Sequence, residues 1–85
     1  MKIGYNKHFL KKFNRFPRKI QNKFKERIEL FVNDSGNITL RDHPLRGDLK
    51  GKRAFRITGD IRVIYQYLKK DEIKLLNIGP HSEVY

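Results

Sequence analysis

The chain has 85 residues, which is enough for one domain with a single modest core and too few for two. It contains no cysteine, which excludes disulfide bonds and cysteine-ligated zinc. Twenty lysines and arginines against nine acidic residues give a formal charge of +11, typical of a protein that binds a polyanion, so nucleic acid is the expected partner ahead of a membrane surface or an acidic protein.

Hydrophobic periodicity predicts two helices in the first half of the chain. Residues 2–5 are compatible with a short strand, after which Asn6 can cap a helix whose apolar face holds Phe9, Leu10 and Phe13. The pair Phe16-Pro17 ends this helix. Apolar residues then recur every three or four positions, as in the buried stripe of a second helix, at Ile20, Phe24, Ile28 and Phe31. The turn-forming residues 33–37 end the second helix.

Three antiparallel strands are predicted in the second half. An irregular connection over residues 37–48 contains His43, and the strands follow at residues 50–57, 61–68 and 73–78. Polar turns at residues 58–60 and 69–71 join them. The predicted fold class is therefore α+β, with an N-terminal helix hairpin packed on a small antiparallel β-sheet in a single domain that spans residues 1–85.

The alternation of side chains along these strands predicts a basic face of the sheet. Phe55 and Ile57 point to one side, which we expect the helices to cover. The other side carries Ala54 and four cations, which are Lys50, Lys52, Arg56 and Arg62. The lysines are equally compatible with an ordinary solvated face, whereas the planar guanidinium of arginine makes bidentate contacts to phosphate oxygens.

The second half also carries four sequence motifs. They read RDHPLRG at residues 41–47, LKG at 49–51, FRITGDIRVIY at 55–65 and GPHSEVY at 79–85. Together these motifs resemble the RelE superfamily of type II toxins, most closely its YafQ and YoeB branches, and the order of elements is similar over almost the full length. The resemblance implies a RelE-like fold. It also implies a small ribonuclease that cuts mRNA in the ribosomal A site and is neutralised by a cognate antitoxin.

The same resemblance implies roles for individual residues. His43 corresponds to a YafQ-type catalytic histidine, at a position where the YoeB branch has a glutamate. Arg62 corresponds to the strand arginine that holds the scissile phosphate, and Arg56 stands where YafQ has a further histidine. His81 corresponds to a catalytic histidine near the C-terminus, and Tyr85 to a functional tyrosine of RelE.

RNA cleavage by the 2′-hydroxyl of the RNA itself needs a base, cations on the phosphate and an acid for the departing 5′-oxygen, and it requires no metal. Histidine titrates near about pH 6.5 and suits both proton transfers. We therefore predict His43 as the base, Arg56 and Arg62 as the phosphate clamp and His81 as the acid. Tyr85 would stack on a base or assist proton transfer. The products would be a 2′,3′-cyclic phosphate and a 5′-hydroxyl end.

Further candidates have weaker support. Asp60 corresponds to an acidic residue that YafQ uses, but an aspartate in a turn is also explained by local hydrogen bonding to the backbone. The basic side chains Lys50, Lys52 and Arg53 are candidates for RNA contact. A metal site made of His43, Asp60 and His81 has no supporting spacing, so no metal and no other cofactor is expected.

Two alternative functions remain open from the sequence. A ParE-type toxin would poison DNA gyrase, although the two motif histidines, Arg62 and Tyr85 argue against it. A non-catalytic RNA-binding module would use the same basic face. The partners expected are mRNA on the ribosome, with its rRNA, and an acidic antitoxin protein. We expect no membrane partner, a monomeric toxin when it is alone, and a cytoplasmic location, since neither a signal peptide nor a membrane span is recognisable.

Overall fold

The helices of the first half begin and end close to the residues that the sequence marks as caps. A computed structural model describes all residues from 1 to 85, with helix α1 at Lys7–Arg15 and helix α2 at Arg18–Asn33. The Asn6 side chain accepts a hydrogen bond of 2.7 Å from the Phe9 N–H and so satisfies one free donor of the first turn. Both predicted helices are confirmed. No helix combines the length and the apolar character that a bilayer crossing requires.

The sheet has five strands, of which only the two-residue strand β2 (His43–Pro44) has no counterpart among the predicted segments. Its strands are β1 at Lys2–Tyr5, β2 at His43–Pro44, β3 at Arg53–Arg56, β4 at Ile61–Lys69 and β5 at Glu72–Pro80. They lie in the order β1-β5-β4-β3-β2, and only the β1–β5 pair is parallel. The predicted strand at residues 50–57 is shorter than expected because Gly51 has a φ of 91°, in the left-handed region that ends an extended segment.

Aromatic side chains from both helices form the main core against one face of the sheet. Phe9, Phe24 and Phe31 are buried there together with Phe55 and Tyr65 of the strands. The Phe31 ring lies 5.3 Å from that of Phe55 and 5.2 Å from that of Tyr65. The helix aromatics are therefore core residues, as predicted. Leu10 is an exception, since it is 42% exposed and lies outside the core.

The opposite face of the sheet is partly covered by the last residues of the chain. Residues His81–Val84 form a short helix, α3, and Val84 packs on this face against the buried side chains of Ala54 and Ile64. Helix α3 therefore covers the middle of the Ala54 side.

Helix α3 lies close to the sheet because a glycine precedes it. A Cβ atom on Gly79 would lie 3.2 Å from Val84 Cγ1 and 2.9 Å from Lys12 Nζ, so a larger residue would push α3 outwards. The His81 N–H also donates to the Asp60 carbonyl at 3.0 Å, which ties α3 to the turn between β3 and β4. The last residues are thus packed on the face that carries Arg56 and Arg62, and they do not form a free tail.

Candidate active site

The connection between α2 and β3 presents His43 at one edge of the sheet. This connection, predicted at residues 37–48, is more regular than expected, since residues 37–49 contain two short 3-10 turns, at Ile38–Leu40 and Gly47–Leu49, and strand β2. Leu40 is fully buried and anchors one side of the connection. His43 pairs with Ala54 of β3 and so lies on the face that α3 covers. Its imidazole is exposed at the end of that face.

Two hydrogen bonds define the protonation of a neutral His43 ring. Its Nδ1 lies 2.8 Å from the carbonyl oxygen of Arg41, and its Nε2 lies 3.2 Å from the Tyr85 hydroxyl. Because a carbonyl can only accept, Nδ1 must carry the proton and Nε2 must be the acceptor. The basic nitrogen of His43 is therefore directed towards α3.

Tyr85 brings the two motif histidines together. Its hydroxyl donates to His43 Nε2, and its ring meets the His81 ring edge to face, with the centroids 4.3 Å apart. Burial raises the pKa of Tyr85, and the positive charge of Arg62 opposes this in part. The phenol thus keeps its proton at neutral pH and can donate. The strand register also places Arg62 opposite Gly79, two residues before α3 begins.

Arg56 and Arg62 lie directly opposite each other on β3 and β4. The Arg62 Nη1 donates to the carbonyl oxygens of Thr58 at 3.1 Å and Gly59 at 3.2 Å, so the turn holds the guanidinium in place. Its Nε and Nη2 are left to bind a ligand. Like charges directly opposite on neighbouring strands repel each other, and an anion bound between them would relieve this repulsion. The pair is therefore suited to hold a phosphate.

Asp60 lies in the turn beside α3. Its carboxylate is exposed, and the side chain that bonds to the turn backbone is Thr58, whose Oγ1 accepts from the Ile61 N–H at 3.1 Å. The structural explanation for Asp60, local bonding by its own side chain, is therefore not observed. What Asp60 does provide is the backbone carbonyl that accepts from the His81 N–H.

The three candidates for RNA contact lie apart from this cluster. Lys50 is exposed in the turn that ends at Gly51, and Lys52 directly precedes β3, where its carbonyl accepts from the Leu45 N–H at 2.9 Å. Arg53 points to the opposite side of the sheet, where its guanidinium is paired with Asp42. RNA contact by these three residues stays a prediction. The Arg53 guanidinium already has hydrogen-bond partners within the protein, Asp42 and Tyr65. No three of the His, Asp and Glu side chains lie close enough together to hold a metal ion.

A hydrogen-bonded network behind His43 was not foreseen from the sequence. The Tyr65 hydroxyl donates to Asp42 Oδ1 at 2.6 Å, and Arg53 Nη2 lies 3.3 Å from Asp42 Oδ2. Burial, together with the Asp42 carboxylate, raises the pKa of Tyr65 far above its usual value. The only sequence signals were an acidic residue directly before His43 and a tyrosine among the apolar residues of a strand.

This network predicts a specific loss of stability at high pH. In the unfolded chain Tyr65 ionises near pH 10, whereas in the folded protein its raised pKa keeps it protonated. The unfolded state then binds fewer protons, so the free energy of unfolding falls as the pH rises above about 10, by up to about 1.4 kcal/mol per pH unit. The stability difference between wild type and Tyr65→Phe should therefore narrow between pH 9 and 11.

Urea unfolding at a series of pH values measures this difference. Tyr67→Phe is the matched control, because Tyr67 lies two residues away on the same strand and is 41% exposed. A constant stability difference between wild type and Tyr65→Phe across this range would contradict the assigned role of the buried phenol.

Comparison with known proteins identifies a family whose sequence pattern spans this chain. The family model described as "Bacterial toxin of type II toxin-antitoxin system, YafQ" matches residues 1–85. A curated protein of Haemophilus influenzae that carries the YafQ toxin name is 30% identical over 95 residues, which cover 98% of this chain and 90% of that protein.

Two solved structures extend the comparison. The crystal structure of YafQ from E. coli strain BL21(DE3) has a TM-score of 0.82 at 24% identity and covers 98% of this chain and 96% of its own. A chain of the E. coli DinJ-YafQ toxin-antitoxin complex has a TM-score of 0.78 at 25% identity and covers 98% and 94% respectively. These similarities confirm the predicted α+β fold, with helices packed on a mostly antiparallel sheet.

Proposed function

Because this chain belongs to the YafQ family of type II toxin–antitoxin toxins, which confirms the resemblance seen in its motifs, we propose that it is a ribosome-dependent mRNA interferase. The observation that carries the proposal is the cluster of His43, Tyr85, His81 and Arg62 on one face of the sheet. These side chains come from separate parts of the sequence, and Tyr85 contacts both histidines.

His43 acts as the general base in the proposed reaction. Its Nε2 carries the free electron pair, and in the unbound protein this nitrogen accepts from Tyr85. When RNA binds, the ribose 2′-hydroxyl replaces the Tyr85 hydroxyl beside Nε2 and gives its proton to this nitrogen. The 2′-oxygen then forms a bond to the adjacent phosphorus atom. The ring of the displaced Tyr85 is then available to stack on a base.

His81 acts as the general acid. As the bond between phosphorus and the 5′-oxygen breaks, a protonated His81 donates its proton to that oxygen. The products are a 2′,3′-cyclic phosphate and a 5′-hydroxyl end, and the reaction needs no metal ion. Asp60 remains a possible catalytic residue, since its carboxylate is exposed in the turn to which α3 is attached.

Arg62 and Arg56 stabilise the negative charge that builds up on the phosphate in the transition state. The turn carbonyls hold the Arg62 guanidinium before RNA arrives, so its two free nitrogens need little rearrangement to bind two phosphate oxygens. Lys50 and Lys52 would contact mRNA or rRNA further along the same side of the protein. The charge of +11 would speed association with the ribosome.

A cognate antitoxin is the second proposed partner. The similar YafQ chain of E. coli is found in a complex with DinJ, which is described as a toxin-antitoxin complex. We extend this arrangement to the present chain and expect an acidic antitoxin, because a surface with a charge of +11 favours an oppositely charged partner.

Mapping of mRNA ends after a brief period of expression tests the proposed function. We expect new 5′-hydroxyl ends inside translated frames, at a fixed position within codons. The matched control is a reporter mRNA whose start codon is changed so that it is not translated, and it should stay intact. Salt-dependent RNA binding without any new ends would instead indicate a non-catalytic RNA-binding module.

A further inference from the structure

Asp42, the residue before His43, is tied to the core of the protein. Its Oδ1 accepts from the Tyr65 hydroxyl at 2.6 Å and from Arg53 Nε at 3.4 Å, while its Oδ2 accepts from Arg53 Nη2 at 3.3 Å. A carboxylate that accepts three hydrogen bonds, two of them from the charged fork of one arginine, has little freedom to rotate. Asp42 therefore has a fixed position although it lies in a connecting loop.

Tyr65 is the rigid part of this arrangement. Its side chain is fully buried, with rings of Phe31 and Phe55 at 5.2 and 5.6 Å. A close-packed core does not let the phenol follow movements of the loop. The raised pKa of Tyr65 also keeps its hydroxyl protonated at physiological pH, so the hydroxyl remains a hydrogen-bond donor. The core thus determines where the Asp42 carboxylate lies.

A single peptide unit links Asp42 to the His43 ring. The carbonyl that accepts from His43 Nδ1 belongs to Arg41, and this carbonyl lies in the same planar peptide as the Asp42 nitrogen. Arg41 has a φ of 47°, in the left-handed region that residues with a side chain rarely adopt. Hydrogen bonds to other parts of the protein are therefore needed to hold this peptide in its orientation, and the Asp42 carboxylate makes them.

We propose that Asp42, held by Tyr65 and Arg53, is a positioning residue that keeps His43 protonated on Nδ1, with Nε2 free to act as a base. Neither Asp42 nor Tyr65 touches the RNA in this proposal. Both act through the Arg41 carbonyl. The effect on the rate of cleavage rests on the function proposed above, whereas the effect on the tautomer of His43 does not.

Nitrogen NMR of the histidine rings tests the effect on the tautomer directly. In wild type, long-range proton–nitrogen spectra of the neutral ring should show His43 protonated on Nδ1. Tyr65→Phe and Asp42→Asn should both give a mixture of the two tautomers. Tyr67→Phe should leave the wild-type pattern, since Tyr67 is exposed and its ring lies 5.8 Å from that of Tyr65. An unchanged His43 pattern in folded Tyr65→Phe and Asp42→Asn would overturn the proposal.

Kinetics with a translating ribosome test the effect on the rate. We expect kcat to fall about 10-fold in Tyr65→Phe and about 100-fold in Asp42→Asn, with KM nearly unchanged, because a misplaced base affects the reaction more than RNA binding. In the background of His43→Gln, both effects should disappear, since the base through which they act is gone. Equal losses with and without His43 would show that the network only supports the fold, and would refute the positioning role.

The two experiments separate this inference from the proposed function. If wild type cuts no mRNA, the nuclease function is wrong, and the NMR comparison still decides whether Asp42 sets the tautomer of His43. If wild type cuts mRNA but the variants keep both the tautomer and the rate, the positioning role is wrong and the nuclease function stands. Thermal unfolding of each variant shows that the comparison is made between folded proteins.

Discussion

Replacement of His81 by glutamine is expected to lower RNA cleavage about 10²- to 10⁴-fold, the range typical for loss of a general acid. Glutamine retains a polar side chain of similar reach but cannot deliver a proton to the 5′-oxygen. The backbone N–H that binds the Asp60 carbonyl is unchanged, so α3 should remain attached to the turn. The loss should therefore appear in kcat, while affinity for the ribosome stays close to that of wild type.

Growth of cells that express the chain alone gives a first measurement, and single-turnover cleavage on a programmed ribosome gives the rate. The control is His8→Gln, because His8 is exposed on α1 and belongs to no part of the cluster. Cells that express His81→Gln should grow, and cells that express His8→Gln should remain arrested. Binding to the antitoxin should be kept in both variants. Full toxicity of His81→Gln would rule out His81 as the acid.

Replacement of Arg62 by lysine is expected to lower cleavage about 10²- to 10³-fold, as when one donor to a developing oxyanion is removed. Lysine keeps the positive charge but loses the planar fork that can bind the turn carbonyls and two phosphate oxygens together. If charge alone were sufficient, the variant would keep most of its activity. The comparison therefore separates geometry from charge at this position.

Arg18→Lys provides the matched control, since Arg18 is an exposed arginine at the start of α2. Its cleavage rate should equal that of wild type. Because Arg62 also bonds to Thr58 and Gly59, Arg62→Lys should unfold at a slightly lower temperature, and this is to be measured beside the rate. A rate within a few-fold of wild type in folded Arg62→Lys would refute the role of the guanidinium as a phosphate clamp.

The local features of the fold are predictable from the sequence because their causes lie within a few residues. Asn6 caps α1 through a contact only three residues away, and the alternation at Phe55 reports the face of one strand. Helix α3 and the burial of Ala54 could not be predicted in this way. Their cause is contact between Val84 and side chains twenty or more residues earlier in the chain.

In the candidate site, too, the sequence predicts individual residues but not the contacts between residues that are distant in the chain. The motifs point to His43, Arg62, His81 and Tyr85 one by one, but the hydrogen bond between His43 and Tyr85 joins residues 42 positions apart. Tyr65 has the pattern of an ordinary core residue, and nothing in its neighbours along the chain reveals that its hydroxyl meets Asp42. Pairings of this kind depend on strand order and register, which short-range patterns do not determine.

The parallel pairing of β1 with β5 has a consequence for when the candidate site is completed during folding. Ile3 is made long before Ile73, its partner in register, so the first strand to leave the ribosome waits until nearly the whole chain has followed. Contacts between such distant residues form late and slowly. Helix α3 follows β5, so Tyr85 cannot contact His43 before this last strand is in place. A growing chain can therefore form its local structure before the candidate site is complete, and the proposed activity would begin only when the sheet closes.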